Sequence, residues 1–256
     1  MSDMTRESKT DGERPVGLGD ILQSPLKPTW KRYLEIFITN SDISIYRSME
    51  YEALSNVSYG GRVLDFGGGE KAHYAPDLKS WMAGGVYESA NISAAMEPTY
   101  LVTPGEPLPV AENKFDMVVS VNTLEHVYEL DEALQEIMRV LKPGGRIVLA
   151  VPFLFRVHGC PDDYNRPTAS WWRETLSRLG VKNLRITPLV WDVMTTGLSV
   201  TEGAGPFKKL RRMLVPIYGL LYGWIRARGP GKYYPAQTGE ALANLALGYV
   251  ITGEKQ

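Results

Sequence analysis

The sequence has little of three things that often organise a protein's chemistry: cysteine, histidine and net charge. Cys160 is the only cysteine among 256 residues, which excludes an internal disulfide framework and favours a reducing, cytoplasmic compartment. The three histidines do not stand at metal-ligand spacing, so no metal site is predicted. A formal net charge of -1 provides no field that would draw the chain onto nucleic acid, and no nucleic-acid partner is expected.

Long apolar runs are absent as well. No stretch reaches the roughly 18 apolar residues that a membrane span requires, and the polar first 20 residues lack the apolar core of a signal peptide. What remains is the composition of an ordinary globular protein, with 44% hydrophobic and 22% charged residues. Residues 1–20 are expected to form a disordered tail, and residues 21–256 a single domain.

Helices and short strands alternate along this domain. Apolar residues recur at helical spacing within residues 28–60, which predicts a helical cap before the first strand. Further helices are predicted at 131–142, where Asp131 can cap the start, and at 168–179. The predicted strands lie at 62–66, 85–91, 101–102, 115–121, 146–151, 184–190 and 245–252. This alternation predicts an α/β fold with a mostly parallel sheet, which residues 206–235 interrupt as a helical insertion or lid.

A glycine-rich turn follows the first predicted strand, with the sequence Asp65-Phe66-Gly67-Gly68-Gly69. Glycine lets the backbone turn sharply and lets a ligand approach without a side-chain clash. In open α/β sheets ligands bind beyond the carboxyl ends of the strands, which is where this turn falls. The turn is therefore predicted to hold a ligand. The alternative is a tight connection alone, in which Asp65 caps the helix that follows.

Further sequence blocks follow the turn in a fixed order. They are Leu108-Pro109, Phe115-Asp116-Met117-Val118-Val119, Leu124-Glu125-His126-Val127 and Arg139-Val140-Leu141-Lys142-Pro143-Gly144-Gly145. Together with the turn, these blocks resemble the small-molecule class I methyltransferases of type 11 over roughly residues 62–155. Several motifs in the same order are far more specific than any one of them.

The resemblance implies a Rossmann-like, doubly wound sheet of seven strands, mostly parallel, with an antiparallel last strand. It implies S-adenosyl-L-methionine as the cofactor and methyl transfer as the activity. Asp65 would hold the amino group of the cofactor or order the turn. The residues that the resemblance assigns to the cofactor are Asp65, Gly67, Gly68, Gly69, Glu88, Asn91, Glu106 and Asn122.

Three positions depart from the family pattern. Asn91 stands where an acidic residue usually binds the ribose hydroxyls, and Glu88 is the fallback if the second strand ends earlier. Pro104 stands where Asp often lies near the adenine, with Glu106 two residues later, and Lys71 replaces a frequent third glycine. Weaker hydrogen bonding to the cofactor at the positions of Asn91 and Pro104 predicts a loss of roughly 1–3 kcal/mol in the free energy of cofactor binding.

A dense polar loop follows the fifth strand and contains a His-x-x-Pro-x-Asp-Tyr-x-Arg block. The block resembles one in methyltransferase-like proteins of bacterial glycan-synthesis clusters. His158 is the predicted catalytic base, with Asp163 orienting it or acting in its place. Tyr164 is predicted to assist at the catalytic site and, with Arg166, to bind substrate. His126 is also predicted to bind substrate, and the alternative for it is a structural role in which it bonds to neighbouring backbone. The alternative is a structural pair of Asp163 and Arg166 that holds the loop over the sheet.

Residues 208–225 combine basic and apolar side chains. The segment begins with Lys208-Lys209-Leu210-Arg211-Arg212 and continues with an apolar stretch that Pro216 and Gly219 interrupt. It is too short to span a bilayer. A lid packed on the domain is the favoured interpretation, and a helix on a membrane surface is the alternative.

The leading hypothesis is thus an S-adenosylmethionine-dependent methyltransferase that acts on a small molecule or a glycan-linked intermediate, in the cytoplasm or peripheral to the membrane. The departures at Asn91 and Pro104 motivate an alternative, a non-catalytic domain of the same fold that binds a ligand or partner. A nicotinamide-dependent oxidoreductase is a third hypothesis. The Phe-Asp and Lys-Pro-Gly-Gly blocks disfavour it, because they do not belong to that pattern.

Overall fold

The computed structural model describes residues 17–82, 84–159, 162–201, 205–226 and 244–256. Its centre is a seven-stranded sheet. The strands are β1 (Arg62–Phe66), β2 (Val86–Asn91), β3 (Tyr100–Leu101), β4 (Phe115–Val121), β5 (Leu141–Pro152), β6 (Val181–Leu189) and β7 (Gly248–Lys255). Each strand that the sequence predicts is present, with β5 and β6 beginning five and three residues earlier than expected and β7 three residues later.

The strands follow the order β3-β2-β1-β4-β5-β7-β6 across the sheet. Parallel pairing joins the first five strands, whereas β7 runs antiparallel between β5 and β6. The prediction of a Rossmann-like, mostly parallel sheet with an antiparallel last strand is therefore confirmed. The chain order reverses between β1 and β4, the type of crevice in which α/β sheets bind ligands at the carboxyl ends of their strands.

Helices cover both faces of the sheet. They are α1 (Leu18–Ile21), α2 (Trp30–Tyr33), α3 (Ile45–Ser55), α4 (Ala75–Trp81), α5 (Leu130–Val140), α6 (Ala169–Arg178), α7 (Val193–Val200) and α8 (Lys208–Arg226). A π-helix, Leu34–Thr39, continues α2, and 3₁₀ turns occupy Ala94–Met96 and Leu124–His126. The predicted helical cap and the helical insertion before the last strand are both present.

Local chemistry explains several helix starts. Ser44 and Thr168 accept a hydrogen bond from a backbone N–H in the first turns of α3 and α6, as N-caps do. The predicted cap at Asp131 is wrong. Leu130 is buried against the core, so α5 begins one residue earlier, with Glu129 at the N-cap and Asp131 inside the first turn.

Two apolar layers hold the sheet between the helices. Successive strand residues point to opposite faces, so Leu64 belongs to the layer with α5 and α6, and Val63 to the layer with α3 and α4. The second layer positions the amino-terminal cap over the carboxyl edge of the sheet, where α3 reaches the loop after β4.

Two predicted segments fall partly outside the described residues. The predicted tail does so up to residue 16, while Leu18–Ile21 within it form the single helical turn α1. The predicted insertion, residues 206–235, lies outside the described residues beyond Arg226. Among the helices that the structure describes, none is long and apolar enough to cross a membrane.

Candidate functional site

The glycine turn is packed so tightly that each of its three positions requires glycine. Gly67 has φ +91°, and a Cβ there would lie 2.1 Å from the Thr123 side chain. A Cβ on Gly68 would lie 1.8 Å from Oδ2 of Asp65, and one on Gly69 would lie 2.2 Å from the carbonyl oxygen of Met96. Contacts this short are impossible for real atoms, so the sequence leaves the backbone bare at the carboxyl end of β1.

Asp65 lies fully buried beneath this turn. Its Oδ1 accepts a hydrogen bond from the Tyr74 hydroxyl at 3.1 Å, and its Oδ2 accepts one from the Tyr87 hydroxyl at 2.8 Å. Burial raises the pKa of this carboxyl to about 7, although the tyrosine hydrogen bonds oppose the shift. Of the two predicted roles, the geometry supports ordering of the turn.

Asn91 ends β2 and ties the turn to the neighbouring loop. Its Nδ2 donates to the carbonyl oxygens of Gly67, at 2.6 Å, and Gly68, at 3.1 Å. Its Oδ1 accepts from the backbone N–H of Ser93 at 2.9 Å. A carboxylate cannot donate to the two carbonyls. The departure from the family pattern therefore has a physical reason in this chain.

Glu88 lies in the middle of β2, opposite Leu64 of β1, and because β2 continues to Asn91 the condition for its fallback role, an earlier end of the strand, is not met. Its carboxylate binds Lys114 at 2.8 Å, and it also contacts Arg62 and Tyr100. Burial opposes ionisation, but Lys114, Tyr100 and Arg62 outweigh it and lower the pKa of Glu88 to about 2. Arg62 begins β1, three residues before the turn, so the contact with Arg62 holds the Glu88 side chain toward the amino end of that strand.

The other two predicted cofactor residues lie on the loops after β3 and β4. Glu106 is exposed in the loop after β3. Asn122 follows β4 in the left-handed region, with φ 49°. Its Oδ1 accepts from the Tyr46 hydroxyl at 2.8 Å, and its Nδ2 lies 2.8 and 2.9 Å from the carboxylate oxygens of Glu50. Glu50 is fully buried on α3, and burial raises its pKa.

The sequence analysis missed Glu50. Its burial could have been predicted, because the Glu50 carboxylate lies on the apolar face of α3 that carries Tyr46, Met49, Ala53 and Leu54. Such a residue is buried with its neighbours unless the helix turns that face to solvent.

A second polar region joins the loops after β4 and β5. The backbone N–H groups of Tyr164 and Asn165 donate to the carbonyl oxygen of Glu125 at 2.8 and 3.1 Å. The Asn165 side chain donates to the carbonyl oxygen of Val127 at 2.6 Å. These bonds hold the polar loop over the end of β4 and bring together residues far apart in sequence.

Asp163 is the organising carboxylate of this loop. Both terminal nitrogens of the Arg166 guanidinium bind its two oxygens, and its Oδ2 accepts the His158 backbone N–H at 3.0 Å. The same oxygen lies 3.4 Å from Nδ1 of His158. Burial lowers the pKa of His158, which favours the neutral ring that a base requires. The structural pair that the sequence analysis left open is thus present, and Asp163 also adjoins His158.

Tyr164 lies at the rim of this region. It is half exposed, its hydroxyl donates to Oδ2 of Asp162 at 3.0 Å, and its ring packs edge-on against Tyr128. Its place at the edge fits contact with a bound molecule better than proton transfer at a buried atom.

Glu125 is the central residue that the sequence analysis did not single out. Its side chain is 1% exposed, and neither carboxylate oxygen has a hydrogen-bond partner among the described residues. Its Oε1 lies 3.5 Å from Nε2 of His126, and the His126 and His158 rings meet edge to face at 5.1 Å. Burial raises the pKa of Glu125 to about 8. A buried carboxylate without partners is rare, and such groups mark sites that await a ligand, ion or proton.

A cavity of about 230 Å³ opens beside this region. Phe155 lines it and also packs edge-on against the His158 ring at 5.8 Å. Leu198 of α7 and Lys208 and Arg212 of α8 also line the cavity. The cavity therefore connects the His158 region with the start of the insertion helix.

Comparison with known proteins identifies this arrangement. Residues 64–149, which run from β1 through the glycine turn and Glu125-His126 into β5, match the family model of a methyltransferase domain. Over these residues the chain is similar to S-adenosylmethionine-dependent methyltransferases. The prediction from the sequence blocks is confirmed.

Relatives of this chain are distant or match only part of it. A probable S-adenosylmethionine-dependent methyltransferase of Mycolicibacterium smegmatis is 26% identical over 76% of this chain and 70% of its own length. The ubiquinone/menaquinone biosynthesis C-methyltransferase UbiE of Idiomarina loihiensis is 32% identical over 37% of this chain. The uncharacterized protein YafE of Escherichia coli is 36% identical over 29% of it. The chain spans 44% of the length of that UbiE and 36% of YafE.

A solved structure confirms the fold of the chain. A SAM-dependent methyltransferase from Thermotoga maritima superposes with a TM-score of 0.50 at 15% identity, covering 89% of this chain and all of its own. At that identity the likeness concerns the fold alone.

Proposed function

We propose that this chain transfers a methyl group from S-adenosylmethionine to a small molecule or a glycan-linked intermediate. One observation carries the proposal: the glycine turn and the His158 region are neighbours. Gly67 packs against Thr123, and Glu125 and His126 follow two and three residues later in the same loop. A donor on the turn and an acceptor beside His158 would therefore meet across the end of β4.

The residues at the turn fit the methionine end of the cofactor. Gly67, Gly68 and Gly69 leave the backbone bare, and Asp65 fixes its course from below. The ribose end would be held differently from the family pattern, because the hydrogen-bonding groups of Asn91 already hold the turn. When bound, the cofactor supplies an electrophilic methyl group on a sulfonium.

The chain's own residues would position and activate the acceptor. A neutral His158 can take a proton from an acceptor oxygen or nitrogen, and Asp163 stabilises the ring from Nδ1. Arg166 is engaged with Asp163, so we assign it to holding that carboxylate in place. His126 and Tyr164 border the space in which an acceptor would lie.

The decisive experiment compares His158→Ala with the parent chain. We expect turnover of an accepted substrate to fall by about 10²–10⁴-fold, with little change in S-adenosylmethionine affinity measured by calorimetry. His73→Ala is the matched control, because His73 lies outside the region and packs near Arg47 and Tyr51. Unchanged turnover removes His158 from the mechanism. Absence of cofactor binding at millimolar concentration favours the non-catalytic alternative.

A membrane-peripheral acceptor is supported by the orientation of α8. Its inner face is formed by Arg212, Pro216 and Gly219, and the Arg212 guanidinium donates to three carbonyl oxygens of the amino-terminal cap. The outward face is apolar, because apolar residues recur along it at helical spacing. Its residues are Leu210, Met213, Leu214, Ile217, Tyr218 and Leu221, each at least 40% exposed.

An exposed apolar stripe beside Lys208 and Lys209 matches the interface of an anionic membrane. A packed lid would bury its apolar face, as the sequence analysis expected, whereas α8 turns that face outward. Lys208, at the start of α8, also lines the cavity, so an acceptor carried on a lipid could reach the cavity from that end of the helix.

Sedimentation with vesicles tests the membrane contact. We expect the full chain to bind phosphatidylglycerol vesicles, to bind phosphatidylcholine vesicles weakly, and to lose binding when Leu214 and Ile217 are both replaced by Asp. Leu101→Asp, at a similarly exposed apolar position on β3, is the matched control. Equal behaviour of the double variant and the parent would contradict the membrane contact and leave methyl transfer untouched.

A further inference from the structure

The unpartnered carboxylate of Glu125 faces two histidines. Glu125, His126 and His158 each offer one ligand atom, and these atoms all lie within 4.8 Å of one another. Two imidazoles and a carboxylate are the ligand set that proteins use for zinc and for other divalent transition metals. No spacing along the chain indicates such a site, because the loops after β4 and β5 bring the two histidines together only in the fold.

The tautomers are arranged for metal binding. Nδ1 of His126 contacts the carbonyl oxygen of Asp162, and a carbonyl can only accept, so Nδ1 carries the proton. Nε2 is then left with a free lone pair, and it is this nitrogen that lies 3.5 Å from Oε1 of Glu125. A histidine ligand that donates its other N–H to a backbone carbonyl is the usual arrangement in metal sites.

His158 shows the same pattern on the other side. Its Nδ1 lies 3.3 Å from the carbonyl oxygen of Arg156 and 3.4 Å from Oδ2 of Asp163. A proton on Nδ1 serves both acceptors and leaves Nε2 to bind a ligand. The carboxylate beside it raises the basicity of the ring, as outer carboxylates do for metal-bound histidines.

We propose that Glu125, His126 and His158 bind one divalent transition-metal ion at the carboxyl edge of β4. The three atoms would close from within 4.8 Å to the spacing of about 3.3–3.6 Å that metal–ligand bonds of about 2.0–2.2 Å impose. The backbone of Glu125 is held in position because its carbonyl oxygen accepts hydrogen bonds from the backbone N–H groups of Tyr164 and Asn165. Asp163 is neutralised by Arg166, so Glu125 would bring the one negative charge of the site once the ion displaces its proton.

Such an ion would keep at least one position open toward the acceptor. A hydroxyl bound there has a lowered pKa, and His158 would then act as a ligand in place of a free base. This role rests on the proposed methyl transfer, but the binding of the metal does not.

Metal binding can be measured without turnover. The full chain, stripped with chelator, would be titrated with Zn²⁺ by calorimetry and with Co²⁺ by its visible absorption. We expect one ion per chain, and a loss of at least tenfold in affinity, together with the Co²⁺ absorption band, in Glu125→Gln and in His158→Ala. Thermal melting of the metal-free variants verifies that each is folded.

Two variants serve as controls. His73→Ala should bind like the parent, because His73 lies outside the cluster. Cys160→Ser should also bind like the parent, and loss of binding there would overturn the ligand set. Undiminished binding in Glu125→Gln would overturn the site itself. Separate calorimetry with S-adenosylmethionine distinguishes failure of the metal site from failure of the proposed function.

Discussion

Two polar regions meet at the carboxyl edge of the sheet, and they differ in how completely their groups are paired. At the glycine turn, both oxygens of Asp65 and all the hydrogen-bonding groups of Asn91 that the structure describes have partners. In the loops after β4 and β5, the carboxylate of Glu125 has none among the described residues.

This difference in pairing indicates two different roles for buried polar groups, one in stability and one in ligand binding. A buried group with hydrogen-bond partners stabilises one conformation of the backbone, and its removal leaves those partners without a hydrogen bond. An unpaired buried group contributes little to that course and is available to a ligand. The turn is therefore expected to respond to mutation through stability, and the region around Glu125 through chemistry.

The largest effect on stability is expected at the turn itself. Gly68→Ala would place a Cβ 1.8 Å from Oδ2 of the buried Asp65, so the turn must move. We expect the free energy of unfolding in urea to fall by about 2–3 kcal/mol. Gly197→Ala, in α7 with open space at its Cβ, is the matched control and should be neutral or stabilising. Equal effects of the two would show that the turn is not tightly packed.

Removal of a paired carboxylate comes next. Glu88→Gln should lower the free energy of unfolding at neutral pH by about 1–3 kcal/mol, because charged hydrogen bonds to Lys114 and Arg62 are lost. Since the pKa of Glu88 is lowered to about 2, its contribution is present above pH ~4.5 and lost as the pH falls toward 2.

Urea unfolding at pH 7 and pH 3 checks the sign. The difference between parent and Glu88→Gln should shrink at the lower pH. Glu70→Gln is the control, because the pair of Glu70 with Lys79 is half exposed and contributes little. A difference that does not change with pH would contradict the assigned pKa.

Asn91→Ala should have a smaller effect. The variant loses two donors to the turn and one acceptor for Ser93, at a partly buried position. We expect a loss of about 1–2 kcal/mol in the free energy of unfolding. Asn56→Ala, which removes an exposed bond to the backbone of α3, should cost less. If Asn91→Ala is neutral, the side chain is free to turn toward the ribose of the cofactor.

The smallest effect is expected at the unpaired carboxylate. Glu125→Gln keeps the shape of the side chain and removes no described hydrogen bond. The metal-free variant should therefore unfold within about 0.5 kcal/mol of the parent, or be more stable. A loss above about 2 kcal/mol would show that Glu125 is paired in solution, and the contrast between the two regions would fail.

The sequence predicted much of this fold because its motifs are local. The turn at Gly67 and the strand at β4 were placed within a residue, since hydrophobic runs and glycines mark them directly. Helices α4 and α7 were not predicted. They have only seven and eight residues, too few for a clear helical period.

The site was less accessible from sequence because its contacts are long-range. The position of Asn91 at the end of β2 was predicted, but its bonds to the turn depend on the backbone course of a different strand. Glu50 and Glu125 were missed because their burial is set by elements distant in the chain. The pair of Asp163 and Arg166, three residues apart, was foreseen as an alternative because it is local.

The position of β7 has a consequence for synthesis of the chain. β5 and β6 are joined only through β7, and roughly 60 residues separate Leu189 at the end of β6 from Gly248 at the start of β7. At about 5–20 residues per second, a ribosome needs several seconds to make that segment. During this interval β5 carries an unpaired edge, which invites pairing with other strands. We expect the nascent chain to depend on chaperones until the last strand emerges and closes the sheet.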